Sequence, residues 1–80
     1  MRVTVHVRRR PEIADPHGAT VARSLEDLGH HGVTSVRIDR TIHLEVDGTD
    51  PAEVRERIAA MCDQLLVNPV LEDYEIVVGS

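Results

Sequence analysis

Asp-Pro occurs twice in the chain, at Asp15–Pro16 and Asp50–Pro51, and each pair stands ahead of a run with helical apolar spacing. The dipeptide is a helix start. The Asp carboxylate accepts from free N–H groups of the first turn, and Pro at the first helical position lacks only an N–H that would be unpaired anyway. After Pro16, the apolar residues Val21, Leu25 and Leu28 share one side, and Gly29 ends the run, with Gly32 as further punctuation. After Pro51, a stripe of Val54, Ile58, Met61 and Leu65 follows at spacings of four, three and four. Glu53, three residues beyond Asp50, gives this second start the form of a capping box, and Asn68–Pro69 stops the helix.

The stretches around these helices read as strands. "RVTVHVR" alternates, with Val3, Val5 and Val7 on one face and Thr4, His6 and Arg8 on the other. "RRPEIA" breaks that pattern as a loop. Val33 to Val46 reads as two consecutive strands, Val36 and Ile38 sharing a face in the first and Ile42, Leu44 and Val46 in the second. The turn between them is expected near Asp39–Arg40, a pair without the Gly of a tight hairpin, so the expectation is a bulge or a looser turn. A last strand runs from about Tyr74 to Val78. The order β-α-β-β-α-β in one domain spanning residues 1–80 predicts an α+β, ferredoxin-like sandwich: a four-stranded antiparallel sheet with two helices on one face. The other face would carry Thr4, His6, Arg8, Arg37, His43, Glu45 and Val77.

Such a sandwich is thin in this chain. Its 80 residues contain one Cys, no Phe and no Trp, so the core is aliphatic and no intrachain disulfide reinforces it. Chains of this size bury only about 60% of the surface exposed when unfolded. The remaining common reinforcement is association with more protein, so a subunit or oligomer is expected. A net charge of −5, with 9 basic against 14 acidic residues, argues against nucleic acid, whose binding rests on neutralising phosphates. No apolar run approaches the ~20 residues of a membrane span, and no hydrophobic signal segment is seen. A cytoplasmic protein with a free thiol is expected.

Candidate chemistry is sparse. Glu72, Asp73 and Glu75 crowd around Tyr74, the only aromatic residue, but neighbours on a strand point to opposite faces and do not converge on one atom. The five histidines, His6, His17, His30, His31 and His43, form no helical HxxxH pair and lie near no useful Cys. His6 and His43 on the outer sheet face offer only two ligands, so no metal is expected. Cys62 sits mid-helix without a helix N-terminus or cation to activate it, and reads as a packing residue. Arg8 to Arg10 end the first strand as a basic edge for salt bridges or partner contacts. Gly18 and Gly48 belong to no phosphate-binding loop, so no cofactor is expected on this chain. Tyr74 has two open readings: a contact anchor, or a ring packed under the helices with its hydroxyl at the surface.

Three segments resemble a known family. "DPHG" (15–18), "SLEDLGHHGVTSVRI" (24–38) and "MCDQLLVNPVLEDYEI" (61–76) are similar, in this order and without large gaps, to the PurS family, the small subunit of phosphoribosylformylglycinamidine (FGAM) synthase. The likeness spans Val3 to Val78, and its longest segment is the most specific. Where the family usually has Gly-Lys, this chain has Asp39–Arg40, which keeps the charge and loses the glycine. The resemblance implies an adaptor without a catalytic residue, which self-associates as a dimer or tetramer. It would bridge a glutaminase subunit, PurQ, and a synthetase subunit, PurL, and support ammonia transfer between them. ATP and Mg are then used by the complex, in converting FGAR to FGAM during purine biosynthesis. Carried over by position, the interface would include Asp15, Pro16 and Gly18 at the first helix start and Asn68, Pro69, Glu72, Asp73 and Tyr74 before the last strand. Two other readings of the residues are a ferredoxin-like regulatory module that binds a small metabolite at a dimer interface and a small acylphosphatase-like hydrolase. The hydrolase is disfavoured because the first loop has no Gly-rich cradle and the middle strands no Asn.

Overall fold

The structure, a computed structural model, describes residues 1–79. The elements are β1 (Arg2–Arg9), α1 (Pro16–Asp27), β2 (Arg40–Glu45), α2 (Pro51–Met61), a single π-turn (Cys62–Leu66) and β3 (Glu72–Gly79). Both helices begin where the Asp-Pro pairs place them. The Asp15 carboxylate accepts from the Gly18 N–H at 3.0 Å and that of Asp50 from the Ala52 N–H at 3.0 Å.

The strands form an antiparallel sheet in the order β2-β1-β3. In its register Val3 lies between Leu44 and Val78, and Val5 between Ile42 and Ile76. The alternation of β1 therefore sends Val3, Val5 and Val7 to one face, where each is at most 1% exposed, together with Val54, Ile58 and Cys62. Val46 and Val67 complete this core. The opposite face carries Thr4, His6, Arg8, His43, Glu45 and Val77, as the alternation requires.

Expectations are corrected in two places, the sheet with its arm and the α2 stripe. The sheet has three strands among the described residues, where four were expected. Val33 to Asp39 forms no ladder, and no turn is present at Asp39–Arg40. The cause is local chemistry on both sides of that pair. Among the described residues positive φ occurs only at Gly29, Gly32 and Gly48, so Asp39–Arg40 has no residue suited to a tight reversal. Its neighbours are meanwhile tied to the end of β1 and to the start of α1: Arg37 Nη2 donates to the Arg9 carbonyl at 2.7 Å, and the Ile38 N–H donates to Asp15 Oδ2 at 2.8 Å. Nor does α1 cover the sheet, for it touches neither the strands nor α2. Residues 10–39 instead form an arm, and the chain measures 50 × 26 × 15 Å. Arg37, expected on the outer sheet face, belongs to that arm.

The second correction concerns the α2 stripe. Val54 and Ile58 are buried as expected, but Leu65 is 83% exposed. The Val67 N–H donates to the Cys62 carbonyl across five residues. That wider turn moves the inward position from residue 65 to Val67.

Candidate interaction site

Two clusters hold the residues singled out from the sequence. The first is the root of the arm. Asp15 accepts from two backbone donors, Gly18 and Ile38, and these hold its carboxyl below the ordinary carboxylate range, Gly18 contributing most. The helix start is thereby fastened to residues 36–38. Gly18 is buried because the approach is close: a Cβ there would lie 2.2 Å from the Val36 carbonyl oxygen. This contact is the physical content of "DPHG". Pro16 is exposed at the first helical position.

The second cluster is the turn between the π-turn and β3. Asn68 Oδ1 accepts from the Val70 N–H at 3.1 Å, and its carbonyl accepts from the N–H groups of Leu71 and Glu72. Glu72 accepts in return from the Asn68 N–H at 2.9 Å and is gripped by both terminal nitrogens of Arg40. The Arg40 fork is the main cause that holds the Glu72 carboxyl below its usual range. Arg40 also donates to the Leu66 carbonyl, and Arg10 donates to that of Pro69, each at 2.7 Å. Arg10 Nε approaches Asp73 at 3.5 Å.

Glu72 and Asp73 thus hold this end of the chain together through their own arginines. Tyr74 stands opposite Val7 on the core face, half-buried, with its hydroxyl donating to Asp63 at 3.4 Å. Burial, then the Asp63 charge, raises its phenol above the ordinary range. Its ring packs against the core. Arg10, Arg37 and Arg40 fix both clusters, a role that the sequence does not assign them. The legible signal was a run of three arginines without a chemical role, and a basic residue retained at position 40.

The arrangement suits binding rather than turnover. Of the acidic residues around Tyr74, Glu72 pairs with Arg40, Asp73 with Arg10 and Glu75 with Arg8. Glu72 faces the core side while Asp73 and Glu75 face the other, so they do not combine as an acid–base pair. Among the described residues no three His, Cys, Asp or Glu side chains are grouped to hold a metal ion. Cys62 is fully buried, and burial raises its thiol above the ordinary range.

The model of the family described as PurS, phosphoribosylformylglycinamidine (FGAM) synthase, matches residues 2–80. The chain belongs to the PurS family. A relative from Mycobacterium leprae, named as FGAM synthase subunit PurS, is 42% identical over 76 residues, covering 94% of this chain and 91% of that protein. The structure of Bacillus subtilis PurS superposes with a TM-score of 0.89 at 30% identity, covering 99% of this chain and 98% of that one. A chain in the structure of PurLQS from Thermotoga maritima gives 0.82 at 34% identity, with 95% and 93% covered. As a PurS chain, it is a subunit of FGAM synthase, a ligase complex of purine biosynthesis. The three-stranded sheet with two helices is the fold of those PurS structures.

Proposed function

We propose that this chain is the assembly subunit of the synthase, joining the PurQ glutaminase to the PurL synthetase, and that it does so as a self-associated unit. The observation that carries this reading is the incompleteness of the lone chain. The arm stands off its own sheet. Ile42 and Leu44 on the core face of β2 are only partly buried, and the outer edge of β2 has no neighbour among the described residues. An open edge and a half-covered apolar strip are unfavourable in isolation. A second copy of the arm supplies what is missing: residues 33–39 as a fourth strand beside β2, and the apolar side of α1 over Ile42 and Leu44. All eighty residues then act as one unit, and the ferredoxin-like sandwich is completed between two chains.

The chemistry of the complex follows from this role. Ammonia released at a glutaminase site is a nucleophile only while unprotonated, so the two sites must be held together, which is a matter of positioning. The chain contributes that geometry and no reacting group; ATP and Mg act on the synthetase subunit. The complex works in the cytoplasm. Among the described residues no helix is long and apolar enough to cross a membrane. A metabolite-sensing module is less well supported, because the clefts beside Arg9 are open and walled by charged side chains, several already paired with one another.

Reconstitution tests the reading. With PurL and PurQ present, omission of this chain is expected to abolish glutamine-dependent FGAM formation and to leave most of the ammonia-dependent rate. Equal glutamine-dependent rates with and without the chain would refute it.

A further inference from the structure

The sheet has two outer edges, and the chain treats them differently. The ladder bonds fix which groups each edge presents. Met1 and Val46 exchange both bonds, the Met1 ammonium donating to the Val46 carbonyl at 2.7 Å and the Val46 N–H to the Met1 carbonyl at 2.9 Å. On the other side of β1, the Arg10 N–H donates to the Leu71 carbonyl at 2.9 Å. Bonded pairs alternate along antiparallel strands, so in the observed register Val3, Val5 and Val7 bond towards β2, and Thr4, His6 and Arg8 towards β3. The partners left out of these pairs turn their N–H and C=O groups outwards. They are Thr41, His43 and Glu45 on β2, and Tyr74, Ile76 and Val78 on β3.

The outward groups of β2 meet nothing among the described residues. On β3 the middle position is capped: Arg55, in the second turn of α2, donates from Nη1 to the Ile76 carbonyl at 2.9 Å. Glu72, at the start of the same edge, gives its N–H to the Asn68 carbonyl at 2.8 Å. Arg55 has no carboxylate within 4.0 Å among the described residues, so the edge carbonyl is what holds its guanidinium.

The β3 edge needs such a cap. Its outward positions are Tyr74, Ile76 and Val78, all β-forming residues, and a bare edge of this kind pairs with any open strand. Every copy of the chain offers one in β2. If β2 takes residues 33–39 of a second copy and gives its own arm in return, the contact is reciprocal and closes at two chains. If it takes β3 of a second copy instead, that copy's β2 stays open and the addition repeats without end.

We infer that Arg55 decides between these outcomes: seated on the Ile76 carbonyl, it keeps the β3 edge from receiving the β2 edge of another copy, so that self-association stops at a closed unit. The inference rests on the self-association reading above and adds the residue that limits it. A guanidinium suits the task because a strand arriving at this edge would bury its charge and its several donors unpaired.

Arg55→Ala tests this, alanine being the best helix former for an exposed helical position. In sedimentation velocity over a concentration series, the wild type is expected to keep one mass and the variant to grow with concentration, to an average mass at least about twice that of the wild type. Hydrogen exchange read by mass spectrometry is expected to slow across residues 74–78 in the larger species alone, because the outward amides of β3 become bonded there. Arg55→Gln stays polar and helix-forming but loses the charge and the fork. It is expected to grow in the same way, and it carries the test if the alanine variant misfolds. Wild-type mass for the folded variants at every concentration overturns the inference. So does growth without slowed exchange over residues 74–78, which would place the new contact elsewhere on the surface. A wild-type chain that stays monomeric at every concentration overturns the self-association reading itself, and this inference with it.

Discussion

Gly18→Ala tests the arm, because two physical effects act on it with opposite signs. Gly18 lies in the first turn of α1, with no positive φ to relieve. In a free helix, alanine there is favourable by up to about 1 kcal/mol, less near a terminus. The structure adds a steric term. The new Cβ meets the Val36 carbonyl oxygen at 2.2 Å and its carbon at 3.0 Å, with Asp15 Oδ2 at 2.8 Å. The first two are backbone atoms and cannot rotate away. Either the helix start separates from residues 36–38, with loss of the Asp15–Ile38 bond, or the backbone is strained. Overpacking of this kind costs typically ~1–3 kcal/mol. The net expectation is a loss of about 1–2 kcal/mol, which for a chain of this size lowers the thermal midpoint by about 5–15 °C. Calorimetry of the self-associated protein at fixed concentration measures it, since the midpoint of an oligomer depends on concentration. An unchanged or raised midpoint would refute the reasoning, because it would show α1 behaving as a free helix unattached to the 36–38 segment.

Asp15→Ala should flatten the acid limb of the stability curve: a carboxyl depressed by the Gly18 and Ile38 N–H groups contributes stability that is full above the ordinary Asp value of about 4 and is lost as pH falls below it. Urea titrations between pH 3 and pH 7 would show the difference. Arg40→Lys replaces a fork by a single ammonium, so the Glu72 carboxyl should return towards its ordinary range in an NMR titration, and limited proteolysis should cut faster within residues 66–72. Cys62→Ser places a hydroxyl in a fully buried apolar site and should cost ~1–3 kcal/mol in denaturant unfolding. The wild-type thiol should react with alkylating reagents far more slowly in the native protein than in the unfolded chain.

Local chemistry made much of this fold legible. Both Asp-Pro helix starts, the alternation of β1 and the end of α1 at Gly29 follow from rules that act within a few residues. Two features resisted for a physical reason. A helix stripe read at 3.6 residues per turn cannot register a single π-turn, so it points Leu65 inward although Val67 holds that place. The apolar pattern of Val36 and Ile38 correctly marks a segment that wants an apolar neighbour, but periodicity does not say whether that neighbour belongs to the same chain. The bonds that hold the segment, donated by the Arg37 guanidinium and the Ile38 N–H, link residues more than twenty positions apart. The candidate site was legible as the long "MCDQLLVNPVLEDYEI" segment, whereas the division of labour within it was not. Glu72 and Asp73 hold the turn in place through their arginines, contacts that link distant parts of the chain.

On this reading the chain works by joining larger proteins. Sedimentation velocity on an equimolar mixture of PurL and PurQ measures that directly under turnover conditions, with ATP, Mg and glutamine present. Without this chain the two should sediment as separate boundaries, and with it they should move as one faster boundary that also contains the chain. A single PurL–PurQ boundary of the same mass fraction whether or not the chain is added would contradict the account.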